Sequence, residues 1–102
     1  MILHTVLCAL RADHDAGELT SIMSGLEALD IAGFERFSHG PNIDLEGKSP
    51  LYPFGFQCQF SDRAALEAYG ADPDHHALGA RLVALCTDGA RGIFVSDLEV
   101  GP

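Results

Sequence analysis

The sequence predicts an α+β domain of order β-α-β-β-α-β, a four-stranded antiparallel sheet with its helices packed on one face. Segments of two-residue periodicity lie at both ends of the chain and around residues 52–60. Segments of helical periodicity lie between them, at 13–29 and 72–86. At 102 residues, with 47% hydrophobic and 21% charged side chains, the chain has the size and composition of one folded domain.

Residues 2–10 alternate Ile2, His4, Val6, Cys8, Leu10 on one face with Leu3, Thr5, Leu7, Ala9 on the other. Both faces are largely apolar, as in a strand covered on both sides. Asp13 to Leu29 reads as a helix whose apolar stripe is Leu19, Ile22, Met23, Leu26 and Leu29. Asp15 and Glu18 have the spacing of a capping box, and Ala32-Gly33 supplies the stop. Phe34 to Gly40 reads as the second strand, and the turn-rich residues 40–50 as a loop. In 52–60, Tyr52, Phe54, Phe56, Cys58 and Phe60 share one face of the clearest strand.

Ser61 is then expected to cap a short helix carrying Leu66 and Tyr69, interrupted by Gly70. Asp72-Pro73 restarts the helix, an Asp cap followed by a proline at the first helical position, and it runs to about Cys86. Residues 87–92 form a turn and 92–100 the last strand. This order is that of the ferredoxin-like, split-βαβ arrangement. Helices cover only one sheet face, yet Leu3, Leu7 and Phe94 fall on the other. An apolar face of that kind calls for a cover, and a second copy set sheet to sheet supplies it. A homodimer with a barrel-like centre is the expected assembly.

Six basic against fifteen acidic residues give a net charge of −9. Such a chain repels phosphate backbones and anionic lipid, so neither nucleic acid nor membrane surfaces are expected partners. The opening MILHTVLCAL is too short to span a bilayer and lacks a basic leader. Cys8, Cys58 and Cys86 are odd in number, widely spaced and in apolar surroundings, and read as free buried thiols of a reducing, cytoplasmic compartment.

The residues that could carry chemistry gather around YGADPDHHALG, residues 69–79. On the helix begun at Asp72, His75 shares a face with Leu78, Leu82 and Leu85 and so points toward the sheet. His76 lies about 100° round, toward the flank, and reads as a solvated helix residue. His4 faces inward beside Val6 and Cys8, where it needs a hydrogen-bond partner. His4, Tyr69 and His75 are thus expected around one cavity between helices and sheet, lined by Val6, Met23, Phe54 and Phe56. No spacing suits a zinc site, no nucleotide-binding or serine-nucleophile motif occurs, and no metal or cofactor is expected.

These features together resemble the stress-responsive α/β-barrel (Dabb) domains of the dimeric α+β barrel superfamily. The resemblance is carried by MILHTVL, by GPNIDLEGKS ahead of a Tyr-x-x-Gly-Phe strand, by Ala-Leu-x-x-Tyr leading into Asp-Pro-Asp-His, and by the closing IFVSDLEV. It covers essentially the whole chain and implies a ferredoxin-like protomer and a homodimer. In the plant olivetolic acid cyclase, of the same kind, a histidine after the second-helix proline is the base of a cofactor-free aldol condensation, helped by a tyrosine. Those positions fall on His75 and Tyr69, and its first-strand histidine falls on His4. The frequent Tyr-Thr-His of the third strand is Tyr52-Pro53-Phe54 here, and the frequent His-Pro-x-His is Asp72-Pro73-Asp74-His75. The resemblance implies a small-molecule pocket. That pocket serves either binding of an apolar carbonyl compound, or proton-transfer chemistry with His75 as base and Tyr69 as its partner.

Overall fold

The computed structural model describes residues 1–101. Its elements are β1 (Ile2–Cys8), α1 (Ala16–Glu27), β2 (Phe34–Pro41), β3 (Phe54–Phe60), α2 (Arg63–Ala71), α3 (Pro73–Val83), a 3-10 turn at Gly89–Gly92, and β4 (Ile93–Glu99). The four strands form one sheet of order β2-β3-β1-β4 with every neighbouring pair antiparallel. This is the expected ferredoxin-like arrangement, with the second helix divided into two.

Alternation along β1 decides which residues are core. Ile2, His4, Val6 and Cys8 are buried and the residues between them only half-buried. The same inner face carries Phe56, Cys58 and Phe60 of β3, against which Ile22, Met23 and Leu26 of α1 and Leu82 of α3 pack. Each such side chain contributes about 1.5–3 kcal/mol by leaving water. In β2 the pairing shifts between Phe34 and Arg36. Phe34 and Phe37 are three apart and strict alternation would separate them. The bulge places one extra residue, Glu35, so that both rings face inward, opposite Phe60 and Cys58.

Several local expectations are corrected. Asp15 caps α1 by accepting from the Glu18 N–H at 3.0 Å, but the Glu18 carboxylate turns away to Arg81 of α3, so only half of a capping box forms. The cap of α2 is Asp62, not Ser61: its carboxylate accepts from the Ala65 N–H at 2.9 Å. Gly70 does not break the helix, since α2 continues through it to Ala71. Tyr52 precedes β3, and its ring lies 6.0 Å from that of Phe94, on the opposite side of the sheet from the core.

Apart from Arg36 on the edge strand β2, the outer sheet face is apolar or neutral. Registers put Leu3 beside Gln59 and Leu98, Thr5 beside Gln57 and Ser96, and Leu7 beside Gly55 and Phe94. Phe94 and Leu98 are about half exposed. On a chain of net charge −9, that near absence of charge is confined to one broad face.

Candidate functional site

Proline sets the elbow on which the site is built. The residue before a proline is driven out of helical conformation, and Asp72 is extended (φ −70, ψ 127), ending α2 and starting α3. Its carboxylate accepts from the His75 N–H at 2.9 Å. The chain therefore turns between Tyr69 and His75, and their rings stack with centroids 4.0 Å apart at 37°. His76, on the flank, donates through its Nε2–H to the Gly70 carbonyl, fastening α3 back onto the end of α2.

From the sheet, His4 meets this pair edge-on, 5.5 Å from the Tyr69 ring. Its Nδ1 lies 2.5 Å from Oδ1 of Asp97, the residue opposite it on β4. A carboxylate at Nδ1 makes that nitrogen the donor and leaves Nε2 as an acceptor. His4 is 8% exposed, so the partner it required is Asp97.

Tyr69 is 1% exposed. Burial, with the neighbouring Cys58 thiol, pushes its phenol well above the usual range, so it stays protonated. The hydroxyl accepts from Cys58 Sγ at 3.8 Å and keeps its own hydrogen to donate. His75 is pushed the other way: burial, then the nearby His76 and His4, lower its pKa from 6.5, with Asp72 opposing. His75 Nδ1 is buried with no hydrogen-bond partner among the described residues. The ring at the elbow is thus a neutral imidazole.

Between α3 and β4 these groups wall a cavity of about 360 Å³, at the small end of the roughly 300–1,000 Å³ of small-molecule sites. His4, Val6, Phe56, Tyr69 and His75 all line it. Val95 lines it too and is 48% exposed although it faces inward, so the mouth opens along the free edge of β4. Met23 and Phe54 do not line it: Met23 is buried in the α1 core, and Phe54 lies at the far end of β3 with its ring 6.0 Å from that of His39. The position that replaces the family's third-strand histidine is therefore away from the cavity wall. Two residues were missed. His76 lines the rim and clamps the elbow, and Asp97 orients His4. Asp97 could have been found from the alternation Ile93, Val95, Asp97, Glu99, once β4 is set antiparallel beside β1.

The three cysteines are free and buried. Burial raises Cys8 to about 12 and Cys58 to about 11, which leaves both thiols protonated and unreactive.

Residues 2–100 match the stress-responsive A/B barrel domain, Dabb. The chain belongs to this family. Among solved structures it is similar to a dimeric ferredoxin-like protein of unknown function from Jannaschia sp. CCS1, with 42% identity over 97% of this chain and 98% of that one (TM-score 0.90). A Dabb protein with a ferredoxin-like fold from Mesorhizobium loti is 28% identical over 98% and 97% of the two chains (TM-score 0.74). The hydroxynitrile lyase from Passiflora edulis is similar in fold at 12% identity, over 98% and 93% of the two chains (TM-score 0.79). No functionally curated protein matches the chain. Among the described residues no helix is long and apolar enough to cross a membrane.

Proposed function

We propose that this Dabb protein is a cytoplasmic homodimer, joined through the outer sheet face, that binds a small, largely apolar carbonyl compound in the cavity between α3 and β4. The observation that carries this reading is the convergence of His4, Tyr69 and His75 on a cavity whose remaining walls are mostly aliphatic or aromatic. Few placed polar groups in an apolar pocket fix orientation, while the walls supply affinity. His4 offers Nε2 to a ligand hydroxyl or enol, because Nδ1 is engaged by Asp97. The dimer is supported by the outer face, uncharged but for its β2 edge, and by the dimeric state described for the Jannaschia relative. Three buried, protonated thiols suit a reducing compartment.

A second reading, a cofactor-free cyclase or isomerase, is favoured by one further feature. His75 is neutral beside a protonated phenol, which supplies a base and a donor within one stacked pair. In that reading His75 takes a proton from the carbon next to the carbonyl, and Tyr69 donates a hydrogen bond to the oxygen that gains charge.

One experiment separates the readings. Small ketones and aldehydes are titrated into the protein in D₂O while NMR follows the imidazole signals and the exchange of ligand α-hydrogens. Binding predicts shifted His4 and His75 signals, and a panel that shifts neither rules out the cavity as such a site. Catalysis predicts accelerated exchange in the wild type, falling about 100-fold or more in His75→Ala. Equal exchange in both proteins would eliminate His75 as the base.

A further inference from the structure

The loop joining β2 to β3, residues 42–53, is built as a rigid arm although it contains no helix or strand. Asp44 accepts from the N–H groups of Lys48 and Ser49 at 2.9 and 2.7 Å, and those backbone bonds hold its carboxyl below the usual range. The Asn42 side-chain amide donates to Ser49 Oγ and to the Tyr52 carbonyl, both at 2.9 Å, closing the base of the loop. Asp44 takes φ +38 and Gly47 φ +67, left-handed conformations that such a network must maintain. A loop organised to this degree nevertheless presents Ile43, Leu45 and Leu51 at 75%, 90% and 72% exposure. Fixed polar scaffolding that holds three apolar side chains out in water is the construction of a docking element, since a free surface gains nothing from it.

The loop is continuous with the outer sheet face. Tyr52, next to Leu51, reaches the ring of Phe94, and Asn42 borders a depression floored by Gly40 and Gly55. The face that the loop continues identifies the occupant. The 42%-identical Jannaschia relative is dimeric, and a second copy set against the outer sheet face meets the apolar extension that lies at the end of that same face.

We infer that residues 42–51 are a preformed arm that packs Ile43, Leu45 and Leu51 onto a second copy of the chain. This rests on the sheet-face homodimer proposed above. By two-fold symmetry each protomer both gives and receives an arm.

Sedimentation equilibrium on three proteins tests it: wild type, Phe94→Asp in the sheet face, and the pair Ile43→Asp/Leu45→Asp in the arm. All three substituted side chains are exposed, and circular dichroism checks that each variant is folded. The expected result is a wild-type dimer, a monomeric Phe94→Asp, and an arm variant whose dimer dissociates about 100-fold more readily. An arm variant as tight as wild type, beside a monomeric Phe94→Asp, overturns the arm and leaves the sheet-face dimer standing. A wild type that sediments as a monomer overturns both.

Discussion

His75 joins a first-turn position, where the helix dipole disfavours positive charge, to a ring buried against Tyr69. Both favour the neutral form, and the pKa is lowered from 6.5. The unfolded chain therefore takes up a proton near pH 6.5 that the folded chain refuses until lower pH. Since the unfolded state binds more protons in that interval, stability rises with pH across it and is lost on acidification. Urea unfolding at stepped pH is expected to show this fall beginning near pH 6.5, and His75→Gln should flatten it. The carboxylates with lowered values, Glu18, Asp44 and Glu99, act only below about 4.5 and do not obscure it. A slope unchanged in His75→Gln would mean that the ring is free to charge in the folded protein.

At the scale of elements, the elbow between α2 and α3 is set by Asp72-Pro73, and glycine takes no part in it. Gly70 lies inside α2, a Cβ there would meet nothing within 4 Å, and its backbone is not left-handed. Gly70→Ala is accordingly expected to stabilise the protein by about 0.5–1 kcal/mol, the helix-propensity difference. Asp72→Ala removes the cap on the His75 N–H and should cost about 0.5–2 kcal/mol, with Asp72→Ser recovering most of it. Thermal unfolding reads both, and a destabilised Gly70→Ala would restore glycine as the hinge. The same elements show what could be read in advance. Helical period alone aimed His75 inward, and strand alternation alone aimed His4 and Phe56 inward, because those signals are local. Asp97 was hidden, since its meeting with His4 depends on β4 pairing with β1 across most of the chain. Phe54 and Met23 share faces with true lining residues, but periodicity gives a direction and not a position along the element. The cavity occupies only the end of the layer near β4.

For the whole molecule, acidity and assembly pull against each other. Each chain carries a net charge of −9, so bringing two together raises an electrostatic cost over the entire surface. The proposed contact contains little charge to offset it. Leu3, Leu7, Phe94 and Leu98 are apolar, their neighbours are Thr5, Gln57, Gln59 and Ser96, and charge begins only at Glu35 and Arg36 toward the β2 edge. Acidic Asp97 and Glu99 face the other way, toward His4 and Arg63. Association should then be driven by apolar burial, which salt does not weaken, and opposed by long-range repulsion, which salt screens. Raising ionic strength from about 0.01 to about 0.5 M shortens the screening length from roughly 30 Å to less than 5 Å. The dimer dissociation constant, measured by sedimentation equilibrium, is expected to fall severalfold over that range. An interface held by ion pairs would give the opposite sign, and a constant that rises with salt would place the contact on a charged surface away from this sheet face.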